Sequence, residues 1–209
     1  TQFKQRAVLR ADDAEVDAQI AQARAALAAD NPAVADSSLA NATELALARV
    51  RAAADLEAQV RSIREQGLLD AAAALEQRGQ LAMAQFAYEK AAAHLDHSAE
   101  LCPPRQLDKA AEYRNLHANA LYRQGDEKGD NSALIRAIAL YREQLVIVSK
   151  ETSPMDWATT QTNLGTTLWR LGERESGNER LEAAVSAYRQ ALLERTREDL
   201  TRTSQKTRH

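Results

Sequence analysis

Along this chain apolar residues recur at intervals of three and four, and no stretch alternates at every second position, so the pattern predicts helices and no strands. The clearest case is ELALARVRAAADLEAQVRSIREQ, where Leu56, Val60 and Ile63 keep helical spacing and predict one long helix. Three later strings nearly repeat one another: AQFAYEKAA (84–92), AIALYREQL (137–145) and AVSAYRQAL (184–192), each with alanine first and tyrosine four residues on. Measured from glycine, Gly79 is followed after five residues by Ala84, then by Tyr88 and Ala91, and is preceded by Ala72 and Leu75. Gly125 is preceded at the same distances by Ala118 and Leu121, and Gly172 by Gly165 and Leu168. The glycines lie 46 and 47 residues apart, and a period of that size predicts a stacked helical array.

Glycine and proline supply the punctuation. Gly79, Gly125 and Gly172 each follow one helical pattern and precede another, which places turns there. The prolines at 32, 103, 104 and 154 stand where helices can open. In SPMDWA, Ser153 is the expected cap, Pro154 the first helical residue, and Asp156 an acid favourable to the helix dipole.

Composition agrees with helix, because alanine is abundant while aromatics stand at 4%. The formal charge of −3 argues against a nucleic-acid or membrane-surface partner. No apolar run reaches the roughly 20 residues that span a bilayer, and TQFKQRAVLRADD has no apolar block of the signal-peptide kind. Cys102 is the only cysteine, which excludes an internal disulfide framework and makes a cytoplasmic location the expectation. The first residue is threonine, from which a piece of a longer protein or a processed one is expected.

LDAAAALEQRGQLAMAQFAYEKAAAHL (69–95) resembles the tetratricopeptide repeats, the helix–turn–helix solenoid family. NLHANALYRQGDEKGDNSALIRAIALYREQL and NLGTTLWRLGERESGNERLEAAVSAYRQAL keep that pattern with about seven extra residues after the glycine, similar to an expanded variant common in bacterial multidomain proteins. The resemblance implies an all-α, right-handed helical solenoid of stacked helix–turn–helix repeats behind a helical N-terminal region. Its units would be 65–102, 103–152 and 153–198, after an N-terminal hairpin or degenerate repeat at 1–64 and before a frayed tail at 199–209. It also implies that Ala72, Ala84 and Ala91 allow close helix approach, and that the motif tyrosine packs the second helix of each pair on the first. In the N-terminal region Ala23, Ala35 and Ala42 fall in the small-residue places.

Candidate chemistry is sparse. His94 and His97 lie three apart in AHLDH, with Cys102 the only obvious further ligand, too few for a metal site, and the expected reading is that they sit near a helix C-terminus, where partial positive charge is favourable. GDEKGDN (125–131) lacks the alternating oxygens and final glutamate of a calcium loop and is expected to be a lengthened turn, as is GERESGN (172–178). No glycine-rich phosphate loop follows a strand, and no nucleophile stands in a recognisable motif with histidine. Arg202, Lys206 and Arg208 lack the aromatic residues of a nucleic-acid arm. An enzyme, a cofactor and a metal are therefore not expected.

The resemblance points instead to the concave face lined by first helices, which holds a peptide or helix in that family. Carried onto this chain it comprises Leu69, Ala73 and Glu76, then Glu112, Asn115, Asn119, Tyr122 and Arg123, then Thr159, Thr162, Thr166, Trp169 and Arg170. Tyr122–Arg123 and Trp169–Arg170 would form a ladder of hot-spot residue types. The lysines of the family's carboxylate clamp are absent, so a C-terminal peptide carboxylate is not the expected ligand. A protein-binding scaffold in a larger bacterial signalling protein is the expectation. The alternatives are self-association through Leu56, Val60 and Ile63 of the N-terminal helices, and a regulatory arm of an enzyme whose catalytic domain lies outside this chain.

Overall fold

The computed structural model describes residues 2–206, with side chains described for 13–198. Among the described residues there are seven α-helices and no strand: α1 (Gln2–Ala28), α2 (Pro32–Ala84), α3 (Tyr88–Leu101), α4 (Leu107–Lys128), α5 (Asn131–Ile147), α6 (Pro154–Gly172) and α7 (Glu179–Lys206). The chain divides into two compact units, Thr1–Arg64 and Glu65–His209.

The first unit is a hairpin of α1 and the first part of α2. Asp30 takes the left-handed conformation at φ 54°, and the Asn31 amide reaches back to the Ala26 carbonyl at 2.9 Å, closing α1 with a Schellman motif. Pro32 then opens α2, where its missing N–H leaves no bond unmade. The two helices meet through alanine: Ala23, Ala35 and Ala42 are at most 6% exposed. So small a core leaves larger side chains outside it. Val16, Ile20, Leu39, Leu47 and Val50 line an open groove of about 370 Å³. Leu56 is half-buried while Val60 and Ile63 are exposed.

In the second unit the rest of α2 and α3 to α7 pack in chain order: α3 on α4, α4 on α5, α5 on α6 and α6 on α7. The Ser98 hydroxyl donates to the Ala72 carbonyl at 3.0 Å, joining α3 to α2. One continuous core contains Leu95, Leu121, Leu134, Ile138, Tyr141, Leu168 and Ala184. Glu194 of α7 is buried, with Lys150 at 3.2 Å and Arg197 at 2.8 Å supplying the charges that such burial requires.

The turn expected at Gly79 is elsewhere. α2 runs through Gly79 to Ala84, and the chain turns at Phe86, whose φ is 58°. Ala87 donates to the Ala82 carbonyl at 2.9 Å, repeating the closure of α1. Ala84 is consequently exposed, not a helix-contact alanine, and Tyr88 is the first residue of α3. The equivalent of Ala137 and Ala184 is Ala91, since each lies twelve residues after its glycine; the equivalent of Tyr141 and Tyr188 is Leu95. All three pairs therefore share the long spacing, and none is compact. Ala72, Ala118 and Gly165, seven residues before the glycines, are buried in every pair.

Gly125 is likewise inside a helix. α4 continues to Lys128, and Gly129 turns the chain at φ 77°. Asp130 caps α5, accepting from the amides of Ser132 at 2.9 Å and Ala133 at 3.1 Å. The Ser132 hydroxyl also donates to it at 2.7 Å, and this bond first, then the Ala133 amide, holds its carboxyl below the ordinary range. Gly125 is needed for close packing instead: a Cβ there would overlap the Leu134 side chain and approach the Asp130 carbonyl oxygen to 2.9 Å. Only Gly172 ends its helix, with residues 173–178 forming the lengthened turn. Pro154 does open α6, but Ser153 occupies the cap position without a side-chain capping bond. Pro103 and Pro104 sit between α3 and α4 without opening a helix. The segment expected to fray from 199 is helical as far as Lys206, and 207–209 lie outside the described residues.

Candidate functional site

Of the residues assigned to the binding face, Leu69, Ala73 and Glu76 lie on α2 and the other ten on α4 and α6, and the structure sorts these ten by what they already touch. On α4, Asn119 donates to Asn115 Oδ1 at 3.0 Å and accepts from the buried Tyr141 hydroxyl at 2.6 Å. On α6, Thr166 lies at the position equivalent to Asn119, and its hydroxyl is 3.0 Å from that of Tyr188. The same bridge thus joins α4 to α5 and α6 to α7. In the α2–α3 pair both positions are apolar, Ala73 and Leu95, which is consistent with the corrected spacing. Thr159, Thr162 and Thr166 donate to the carbonyls of Met155, Ala158 and Thr162, four residues back. Their hydroxyl hydrogens are therefore used within the helix.

Tyr122 and Arg170 are drawn together by a residue that the sequence reading missed, Asp126. The Tyr122 hydroxyl donates to Asp126 Oδ2 at 3.3 Å, and Arg170 forms an ion pair with Asp126 Oδ1. Arg170 also reaches Glu173 at 3.1 Å. Asp126 first, and Glu173 after it, hold the guanidinium still further in its charged form. Burial, then the nearby Asp126 carboxylate, pushes the Tyr122 phenol up. Arg174 completes the seam by donating to the Gly125 carbonyl at 2.9 Å and the Asp126 carbonyl at 3.1 Å, the open end of α4. The signal for part of this was present: Asp126 and Glu127 stand four residues after Tyr122 and Arg123, the spacing at which helical side chains meet.

Arg123 pairs with Glu127 at 2.6 Å, and Glu127 also accepts from the Tyr88 hydroxyl. That bond to Tyr88, followed by Arg123, holds the Glu127 carboxyl below its ordinary range. Tyr88 therefore reaches from α3 to the end of α4, one pair further on than the sequence reading placed it. Glu112 is paired with Lys109 at 2.8 Å on the surface. Of the ten assigned residues on α4 and α6, Glu112, Arg123, Thr159 and Trp169 are the exposed ones. Trp169 is 41% exposed with the Arg170 guanidinium 5.2 Å from its ring centre. Leu69 and Glu76 are half-buried, and Ala73 is exposed.

The reactive residues lead elsewhere. Burial pushes the Cys102 thiol up, away from the thiolate a nucleophile needs, and its Sγ lies 3.5 Å from the Ser98 carbonyl. His117 is buried, with Nδ1 3.3 Å from Asp96; burial pushes its imidazole down, against the opposing effect of Asp96. Among the described residues no group of three or more His, Cys, Asp and Glu is placed to hold a metal ion, and no helix is long and apolar enough to cross a membrane. What this face offers is an exposed aromatic side chain beside a guanidinium. No protein-family model and no curated protein matches the chain.

Proposed function

We propose that this chain is a tetratricopeptide-like, right-handed helical solenoid that works by binding another protein, with Trp169 at the centre of the contact. One observation carries the reading: Trp169 is exposed yet held by Arg170, which is itself tied to Asp126 and Glu173. A large exposed aromatic surface flanked by a guanidinium supplies the contact area and directional bonding that mark hot-spot residues. Arg123 and Glu112 lie on the preceding first helix and supply charges at the rim. The threonine hydroxyls, already committed to α6, leave their methyl groups as the neighbouring surface. Peptide or helix is the expected ligand class, and no chemistry on the ligand is expected.

Trp169→Ala tests this without touching the seam, unlike changes at Tyr122 or Arg170, which hold α4 and α6 together. A partner captured by the parent chain should bind the variant about thirty-fold more weakly, the effect of a hot spot of about 2 kcal/mol, in a calorimetric titration. Circular dichroism should find the variant as helical as the parent. Equal affinity for the two proteins, or no partner captured by the parent, would remove the assignment.

A further inference from the structure

The three helix pairs, α2–α3, α4–α5 and α6–α7, meet at two joints, and different chemistry lines each. At the second joint the polar contacts are made by guanidinium, ammonium, carboxylate and carbonyl groups. Arg170 pairs with Asp126, Arg174 donates to the Gly125 and Asp126 carbonyls, and Lys150 lies 3.2 Å from Glu194. At the first joint, α3 meets α4 and α5 through Tyr88 with Glu127, Glu89 with Arg136 at 3.4 Å, and Asp96 with His117 at 3.3 Å. Among these contacts, an imidazole occurs at the first joint alone.

His117 stands where the second joint uses a leucine. It lies eight residues before Gly125, as Leu164 lies eight before Gly172, and each is 7% exposed. A buried leucine is indifferent to pH, whereas an imidazole changes charge between about pH 5 and 8. Asp96 and Glu89 act on it from α3, and Arg136 from α5.

We propose that the joint between the first and second pairs is an acid-sensitive hinge, opened when His117 takes a proton, beside a second joint that stays closed at the same pH. An imidazolium here is a charge in a buried place, repelled by Arg136 and drawn by Asp96 and Glu89. Burial is the largest of these effects and pushes the imidazole down from its ordinary value of 6.5. His117 therefore binds its proton more tightly when α3 and α4 are apart. The joint keeps its full stability above about pH 6.5 and loses it progressively as the pH falls below that value, until the pKa of the closed joint is passed. Glu127, held below the ordinary carboxylate range by Tyr88, stays charged throughout this window. Opening withdraws Leu69 and Glu76 of α2 from the assigned binding face and leaves α4 and α6 together.

Two buried positions report the two joints. Ala92 of α3 and Ile138 of α5 lie thirteen residues after Gly79 and Gly125, and both belong to the shared core. In the full chain with Cys102→Ser, Ala92→Cys or Ile138→Cys is reacted with a pyridyl disulfide at pH 7.5 and at pH 5.5. Each rate is divided by that of the same chain unfolded in urea at the same pH. Acidification should raise the normalised rate of Ala92→Cys about fivefold or more and change that of Ile138→Cys less than about twofold. Adding His117→Leu should abolish the rise. Asp96→Asn should enlarge it, because a group that favours the imidazolium is gone, and this exposed position carries the test if His117→Leu disturbs packing. Equal rates of Ala92→Cys at the two pH values, or a rise that survives His117→Leu in a folded chain, overturns the proposal. So does an equal rise in Ile138→Cys, or a smaller rise in Asp96→Asn than in its parent.

Discussion

α5 carries AIALYREQL and α7 carries AVSAYRQAL, in the same register against their first helices. In α5 the tyrosine is fully buried and Ile138 is 3% exposed; in α7 Tyr188 is 36% and Val185 47% exposed. The local pattern is therefore the same while the environment differs. The tyrosine hydroxyl finds a partner on the first helix in both pairs, Asn119 or Thr166, so packing within a pair is encoded by the pair itself. Burial of the other face depends on the helix that comes next. An array of this kind gains stability from each neighbour as well as from each repeat.

The largest effect that separates the two helices should come from trimming that second face. Ile138→Ala should cost about 2–4 kcal/mol by leaving a cavity in the shared core, whereas Val185→Ala should stay within about 0.5 kcal/mol of the parent. Urea unfolding of the two variants side by side checks this, and equal losses would mean that α5 and α7 are covered alike.

A smaller difference is expected from the tyrosine hydroxyls. Tyr141→Phe should cost about 1 kcal/mol, the net value of a buried hydrogen bond, and Tyr188→Phe a few tenths because water can replace Thr166. Double-mutant cycles with Asn119→Ala and Thr166→Ala isolate the two couplings. A stronger coupling at Tyr188 would reverse the assignment of buried and exposed ends.

The helical class and the openings at Pro32 and Pro154 were legible in the sequence, because apolar periodicity and proline act locally. So were the alanines and glycine at 72, 118 and 165. The turn before α3 was not. A glycine usually supplies the left-handed residue that ends a helix, and Gly79 drew the turn seven residues too early, to where that glycine serves helix packing. The actual left-handed residue is Phe86, an uncommon choice that no local rule selects. The error then propagated: AQFAYEKAA matched the other two strings in letters, while its tyrosine is equivalent to Leu134 and Leu181.

The face on α4 and α6 was legible as positions and illegible as partners. Asp126 and Arg174 come together from opposite sides of a seam between pairs, 48 residues apart in sequence. Only packing decides that Tyr122 and Arg170 serve this seam while Trp169 projects from it. Residue types that look alike as a ladder thus divide into structural and available members.

The most direct measurement is thiol accessibility at the paired positions. In a Cys102→Ser background, Ile138→Cys and Val185→Cys can be reacted with a thiol reagent under native conditions. The cysteine at 185 should react at a rate close to that of the unfolded chain, and the cysteine at 138 at least a hundred-fold more slowly, limited by opening of the structure. Equal rates at the two positions would contradict the claim that α5 and α7 present one and the same face, covered in the first and open in the second.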